Sequence, residues 1–100
     1  MSYRIKITTT KPNGTPWFYE SGTPNAATIL ADIITWNKAQ PGYVSGFGVH
    51  VGNNIYEHTI IFDSALNGDA WLLAKQTEPN NMIRDAYLAG LPVRQDIVIT

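Results

Sequence analysis

Apolar and polar residues alternate at both ends of the chain. Over residues 3–10 the odd positions include Tyr3, Ile5 and Ile7, whereas the even positions are polar or charged. A similar alternation recurs over residues 93–100. Because successive side chains of a strand point to opposite faces, both segments are predicted to be half-buried strands.

Two stretches between these strands follow helical spacing instead. The first helix is predicted over residues 23–39, with the Thr23 hydroxyl as its N-cap and a proline at the first helical position. A second helix is predicted over residues 65–77. The segment 78–80 interrupts it, and Asn81 is predicted to cap a final short turn.

Residues 43–62 are predicted to form a β-hairpin that turns around residues 52–54. A two-residue turn there would place His50 opposite Glu57, and a register shifted by one residue would exchange all such partners. The aromatic segment 17–20 is predicted to fold back on the first strand. In the unshifted register one face of the hairpin carries Phe47, Val49, Val51, Tyr56, His58 and Ile60.

The elements therefore follow the order strand, helix, two strands, helix, strand, or βαββαβ. Two βαβ halves of this kind interleave into a four-stranded antiparallel sheet with both helices on one face. We predict a single α+β domain that spans residues 1–100.

Composition narrows the classes of function. The chain has 100 residues, no cysteine, and 7 basic against 8 acidic residues, which gives a formal net charge of -1. The lack of cysteine excludes disulfides and thiolate metal sites, and the near-neutral charge predicts no nucleic-acid partner. No apolar run approaches the roughly 20 residues of a membrane span, and the first residues lack a signal-peptide pattern, so a cytoplasmic protein without a membrane partner is expected. A domain this small gains from burying surface in an oligomer, which favours a homodimer.

A pattern of turns and caps spans most of the chain. Pro41-Gly42-Tyr43 follows the first helix, a Gly-rich strand covers residues 45–51, and residues 60–65 lead into the second helix. In this pattern the chain resembles the dimeric α+β barrel group of ferredoxin-like proteins, which includes the antibiotic-biosynthesis-monooxygenase type of domain. The resemblance implies a ferredoxin-like fold, two sheets packed face to face, and a cleft between sheet and helices for a small, mostly apolar ligand. Some members of that group are cofactor-independent oxygenases and some cleave haem.

The two histidines are candidates for chemistry. His50 beside Glu57 would suit a general base with an orienting carboxylate, but a cross-strand ion pair on a solvated face explains the same spacing and is favoured. His58 on the apolar face would meet a ligand or a haem iron, although a core or interface histidine is commoner. Histidines eight residues apart match no trusted zinc spacing, so no metal site is predicted.

The second face of the predicted sheet collects charged side chains beside small residues. A shallow trough there would hold the carboxylate of an amphiphilic ligand, whereas the alternative is a solvated face of mixed charge. Glycine destabilises a strand, so the presence of Gly46 and Gly48 indicates that small residues have a role on this face. The residues of this face are Arg4, Lys6, Gly46, Gly48, His50, Glu57, Arg94 and Asp96.

Aromatic residues are the last candidates. Aromatic walls with a few polar groups are typical of small-molecule sites. Core or interface contacts are commoner, and Trp36 and Trp71 are expected in the core because they lie on apolar helix stripes. The set is Trp17, Phe18, Tyr19, Trp36, Tyr56 and Trp71.

Together these patterns predict a homodimer that binds a small apolar or amphiphilic molecule, fatty-acid-like or aromatic, without a cofactor. One alternative is a structural or adaptor protein that binds another polypeptide through the turn-rich segment 12–19. Another is a cofactor-independent oxygenase. The predicted ligand-binding residues are Arg4, Lys6, Trp17, Tyr19, Gly48, His50, Tyr56, Glu57 and His58.

Overall fold

The structure of the protein is a computed structural model that describes residues 2–90 and 94–100. The sequence predicts that Pro92 leads into the last strand and that Val93 begins it. Both positions lie outside the described residues. A short 3₁₀ turn at Phe18–Glu20 precedes the first helix. The strands are β1 (Tyr3–Thr10), β2 (Tyr43–His50), β3 (Ile55–Phe62) and β4 (Arg94–Ile99), and the helices are α1 (Ala26–Lys38), α2 (Ala65–Ala74) and α3 (Pro79–Ala89).

The four strands form one antiparallel sheet in the order β2-β3-β1-β4. β1 lies between β3 and β4, so each βαβ half encloses a strand of the other half, as the βαββαβ order predicts. α2 packs on β1 and β3, α1 packs against β2, and α3 packs against α1 and the 3₁₀ turn. The predicted ferredoxin-like α+β fold is confirmed.

The core lies on the sheet face that is turned toward the helices, here called the inner face. Ile5, Ile60 and Phe62 are fully buried there, and Trp71 of α2 covers them. Trp71 is a core residue, as predicted, whereas Trp36 is only partly buried at the margin of the core. The alternation along β1 and β3 therefore correctly identified which side chains the helices cover.

The second helical stretch consists of two helices rather than one helix and a short turn. Pro79 occupies the first turn of α3, where its missing N–H costs nothing. The Glu78 carboxylate accepts hydrogen bonds from the backbone N–H groups of Asn80 and Asn81, both at 3.0 Å. Glu78 is thus the N-cap, and the prediction that Asn81 caps this segment is wrong.

The aromatic segment 17–20 does not extend the first strand, and that prediction is also wrong. Trp17 and Phe18 are both buried, which the two-residue period of a strand does not permit for adjacent side chains on one covered face. The chain forms a 3₁₀ turn instead, in which the Trp17 carbonyl accepts from the backbone N–H of Glu20 at 2.9 Å. The turn directs the Phe18 ring toward Tyr87 of α3 and the Trp17 ring toward His50 and Tyr56 of the hairpin.

The first helix begins later than predicted. The Thr23 hydroxyl forms a hydrogen bond with the Ser21 hydroxyl at 2.7 Å, so it stabilises the preceding turn and not the helix. Asn25 occupies the N-cap position with φ of 61°, a left-handed conformation that asparagine tolerates better than most residues. The predicted N-cap at Thr23 is therefore wrong by two residues.

The hairpin register differs from the predicted one by one residue. The Val51 backbone N–H donates to the carbonyl of Ile55 at 2.8 Å, so the turn contains the three residues 52–54 and not two. His50 consequently lies opposite Tyr56, and Glu57 lies opposite Val49. Because the side-chain period is two, a shift of one residue moves every β2 side chain to the other face. The predicted opposition of His50 and Glu57 is wrong.

Gly68 of α2 marks the closest approach of that helix to the sheet. A Cβ at this position would overlap the Tyr3 ring. Alanine normally stabilises a helix by about 1 kcal/mol relative to glycine. Here we expect Gly68→Ala to lower the free energy of unfolding by about 1–3 kcal/mol, measured by urea denaturation, because the Tyr3 ring must move.

The control for this prediction is a double-mutant cycle. In a Tyr3→Ala background the same Gly68→Ala change meets no ring, and the destabilisation is expected to disappear. An equal loss of stability in both backgrounds would contradict the close approach of α2 to β1.

Candidate functional site

A cavity of about 250 Å³ lies between the inner face of the sheet and α1, α3 and the 3₁₀ turn. Its walls are mostly apolar and aromatic, with a few polar groups, which is the usual composition of a small-molecule site. The lining residues are Ile7, Thr9, Trp17, Phe18, Tyr19, Leu30, Ile33, Ile34, Asn37, His50, Tyr56, His58, Lys75, Arg84 and Leu88.

Glycines on β2 make room for tyrosine side chains, Gly48 for the Tyr56 ring and Gly46 for the Tyr43 hydroxyl. Gly46 and Gly48 lie opposite Ile60 and His58, on the inner face. A Cβ at Gly48 would collide with the Tyr56 hydroxyl and ring. The glycines therefore have a packing reason, but it belongs to the inner face and not to the outer face on which we predicted them.

Four rings form an aromatic cluster at one end of the cavity, namely those of Trp17, Tyr19, His50 and Tyr56. The His50 ring centroid lies 4.8 Å from that of Tyr56, 5.4 Å from that of Trp17 and 6.2 Å from that of Tyr19. The Trp17 and Tyr19 rings meet it edge to face, a favoured geometry for aromatic pairs. The Trp17 indole N–H donates to the Asn53 carbonyl at 3.2 Å, which ties the cluster to the hairpin loop.

The other end of the cavity carries cations. Lys75 follows α2 directly, and Arg84 lies in the middle of α3. The Lys75 ammonium lies 5.6 Å from the centroid of the Trp71 ring, within cation–π distance. Burial lowers the pKa of Lys75, the nearby Arg84 adds to that effect, and the Asp85 carboxylate opposes it.

His58 shares this end of the cavity and is uncharged at neutral pH. Desolvation is the largest cause that lowers its pKa to about 4, and the positive charges of Arg84 and Lys75 lower it further. Its ring meets the Trp71 ring edge to face at 6.4 Å. The imidazole therefore adds a polar but neutral group to the wall.

Asn37 lines the cavity and also forms a hydrogen bond with the core residue Trp71. Its side-chain oxygen accepts a hydrogen bond from the Trp71 indole N–H at 2.9 Å in a buried environment. Asn37 lies on α1 and Trp71 on α2, so this hydrogen bond holds the two helices over the sheet. A buried polar pair of this kind is costly to break from either side.

The structure divides the predicted site residues between two faces of the sheet. Trp17, Tyr19, His50, Tyr56 and His58 line the cavity, and Gly48 lies on the same face against Tyr56. Arg4, Lys6 and Glu57 lie on the outer face, where Lys6 and Glu57 form an ion pair. The predicted trough with His50 and Glu57 on one face is therefore wrong, and the register shift is the reason.

Sequence reasoning missed the cations and Asn37. Lys75 and Arg84 belong to different helices, and only the packing of those helices on the sheet brings them together. A signal existed on α3, where Asn81, Arg84 and Leu88 recur at helical spacing and all are at least partly buried. The sequence pattern predicts only a short turn for that segment, which leaves its inward face unidentified.

The outer face of the sheet is uncovered in the single chain. Phe47, Val49 and Val98 are 56%, 50% and 52% exposed there. The Lys6–Glu57 ion pair neutralises two of the charges that lie among them. Such an apolar patch with paired charges is typical of a surface that packs against another protein.

Two features are absent from the described residues, 2–90 and 94–100. No group of three or more side chains there has the composition to hold a metal ion. No helix in those ranges combines the length and apolar character needed to cross a bilayer.

Comparison with known proteins reveals likeness in structure only. No family model matches the chain, and no curated protein matches it. SnoaB, a cofactor-independent oxygenase from Streptomyces nogalater, superposes with a TM-score of 0.64 at 14% identity, over 99% of this chain and 90% of that chain. A candidate antibiotic biosynthesis monooxygenase from Deinococcus radiodurans gives 0.61 at 11% identity, over 98% and 89%.

A dimeric ferredoxin-like protein of unknown function from Thermobifida fusca gives a TM-score of 0.57 at 15% identity, over 99% of this chain and 90% of that chain. At identities this low, the likeness shows a shared fold and carries no residue roles with it. The resemblance to the dimeric α+β barrel group is confirmed in that sense: the chain has the ferredoxin-like α+β fold of these proteins.

Proposed function

We propose that this protein binds a small, flat amphiphilic molecule in the cavity between the sheet and its helices. The observation that carries the proposal is the wall itself: an aromatic cluster at one end and polar and cationic groups at the other. Ligand sites for drug-sized molecules measure roughly 300–1,000 Å³. A cavity of about 250 Å³ suits a ligand of two or three rings better than a long acyl chain.

Filling the cavity is the direct test of this proposal. Leu30 is a partly buried lining residue on α1, so Leu30→Trp places an indole in the cavity at a position that has access to solvent. We expect this variant to lose about tenfold or more in affinity for phenylnaphthylamine, an uncharged aromatic probe, because its rings and the indole compete for one volume. Probe fluorescence in a titration measures the affinity.

The matched control places the same residue outside the cavity. Leu73 of α2 is 71% exposed and does not line the cavity, so Leu73→Trp is expected to bind the probe as the unaltered protein does. Equal binding by both tryptophan variants would remove the cavity as the binding site.

We propose further that two copies of the chain associate through the outer sheet face. The exposed Phe47, Val49 and Val98 support this, as does the neutralising Lys6–Glu57 pair, since charges that are paired are less costly to bury. The structural neighbour from Thermobifida fusca is itself a dimeric protein. A domain of this size also gains core from such packing.

Phe47→Asp is expected to dissociate the dimer. Removing a buried phenylalanine costs about 1.5–3 kcal/mol in each copy, so the dimer dissociation constant should rise by roughly a hundredfold or more. Native mass spectrometry over a range of protein concentrations measures it. Leu66→Asp, an exposed site on α2, is the control and should leave the dimer intact. Dimers of equal strength in both variants would contradict the outer-face interface.

Two other functions receive less support. An adaptor that uses the segment 12–19 would need its rings free for a partner, but Trp17 and Phe18 are buried against the rest of the domain. An oxygenase such as SnoaB would need a group to accept a proton from the substrate. A histidine whose pKa is lowered to about 4, as in His58, is a weak base at neutral pH. Binding is therefore the function that the geometry favours.

A further inference from the structure

Lys75 and Arg84 both line the cavity, and among the described residues that line it there is no aspartate or glutamate. The cations of a folded protein usually meet carboxylates or water. Arg84 is ion-paired at 3.3 Å with Asp85, which is not among the lining residues, whereas Lys75 has no ion pair in the described part of the chain, so the wall carries one unpaired positive charge where water is partly excluded. A positive charge in such a place favours an anionic ligand.

Lys75 makes no ion pair with any carboxylate in residues 2–90 and 94–100. Its ammonium lies over the Trp71 ring, 5.6 Å from the ring centroid. Burial already disfavours the charged form of this side chain and lowers its pKa. An anion beside the ammonium would offset the desolvation cost of the charged form. The charged form of Lys75 is therefore more stable with an anionic ligand than without one.

Arg84 is held in place by the protein and still has donors to spare. Its Nη2 group donates to the Asn81 side-chain oxygen at 3.0 Å and to the Asp85 carboxylate at 3.3 Å. Asn81 is itself fixed, because its side-chain amide donates to the Glu78 carboxylate at 3.1 Å. The Nη1 group has no hydrogen-bond partner among the described residues, so its two N–H donors remain for a ligand.

The two ends of the cavity are connected by Tyr56. Burial raises the pKa of the Tyr56 hydroxyl, and the positive charge of Arg84 opposes that rise. A ligand ring against the aromatic cluster can therefore extend a substituent toward Lys75 and Arg84. Neutral His58 lies at the same end and adds no competing negative charge.

We infer that Lys75 and Arg84 form an anion subsite, and that the ligand of the cavity is a small aromatic acid whose carboxylate or sulfonate lies between the ammonium and the guanidinium. The inference rests on the proposed function and adds to it the charge of the ligand and the residues that recognise that charge. A guanidinium fixed by two neighbours loses little side-chain freedom when it binds, which favours Arg84 as the orienting donor.

The test compares two probes with one ring system. Anilinonaphthalene sulfonate carries an anionic group, and phenylnaphthylamine is the same molecule without it. We expect the intact protein to bind the sulfonate probe about tenfold more tightly than the neutral one. Lys75→Gln and Arg84→Gln should each weaken the sulfonate probe about tenfold and change the neutral probe by less than about twofold. Lys38→Gln, an exposed lysine outside the cavity, is the control and should change neither.

The outcomes separate the inference from the proposed function. If both probes bind equally and the glutamine variants leave both affinities unchanged, the anion subsite is overturned and the binding cavity stands. If neither probe binds the intact protein, both proposals are overturned. If a glutamine variant with an unchanged melting temperature loses both probes together, its side chain shapes the cavity and does not recognise charge, which also overturns the subsite. Arg84→Lys, which keeps the charge, should restore part of the sulfonate affinity.

Discussion

Replacement of Trp71 by alanine is expected to lower the free energy of unfolding by about 3–5 kcal/mol, the usual cost of truncating a buried tryptophan. The side chain is 3% exposed and packs on Phe62, with ring centroids 5.7 Å apart, and on His58. The change also leaves the buried Asn37 oxygen without its indole donor. Domains of this size are stable by about 5–15 kcal/mol in total, so urea denaturation should show a large shift.

Two companion variants separate the causes of that loss. Trp71→Phe keeps most of the ring contact but removes the donor to Asn37, and it should cost about 1–3 kcal/mol. Leu73→Ala, at a 71% exposed position of the same helix, should cost less than about 0.5 kcal/mol. A loss below about 1 kcal/mol for Trp71→Ala would contradict the packing of α2 on the sheet.

The stability of the protein is expected to fall in mild acid because of His58. In the folded chain its pKa lies at about 4, below its ordinary value of 6.5. As the pH falls below 6.5, His58 becomes protonated in the unfolded chain but stays neutral in the folded chain. The contribution of neutral His58 to the free energy of unfolding is therefore fully present above pH 6.5 and is lost progressively as the pH falls to about 4.

The size of this effect is about 2 kcal/mol at about pH 4.5, allowing for the partial exposure of the ring. His58→Gln has no imidazole to titrate, so its stability should fall less than that of the intact protein between about pH 7.5 and about pH 4.5. Urea denaturation of both proteins at both pH values measures how much stability each loses. The contributions of the other titrating groups largely cancel when the two losses are subtracted. Identical losses in the two proteins would mean that solvent reaches the His58 ring freely.

The fold was predictable because local patterns and global topology agree. The alternation over residues 3–10, with Ile5 and Ile7 on one side, identified a central strand and its buried face. Pro41-Gly42 correctly marked the end of the first helix. Errors lay at element ends and in loops, where the Thr23 hydroxyl binds Ser21 and Glu78 caps α3, and in the extent of α3, an 11-residue helix that the pattern predicts as a short turn.

The candidate site was predictable only in part. The aromatic residues and both histidines were identified, but a hairpin turn one residue longer than predicted moved His50 away from Glu57 and toward Tyr56. Such a loop length is not encoded by the period-2 pattern, which is satisfied by either register on one strand alone. Lys75 and Arg84 required knowledge of how two helices pack, and no spacing along the chain supplies that.

The measurement that tests the central claim most directly is nuclear Overhauser spectroscopy of the isotope-labelled protein with bound phenylnaphthylamine. The account predicts contacts from the probe to side chains that line the cavity, among them Leu30, Tyr56 and His58. Contacts to Phe47 and Val49 on the outer sheet face instead, or a probe that binds without contacting any cavity side chain, would contradict it.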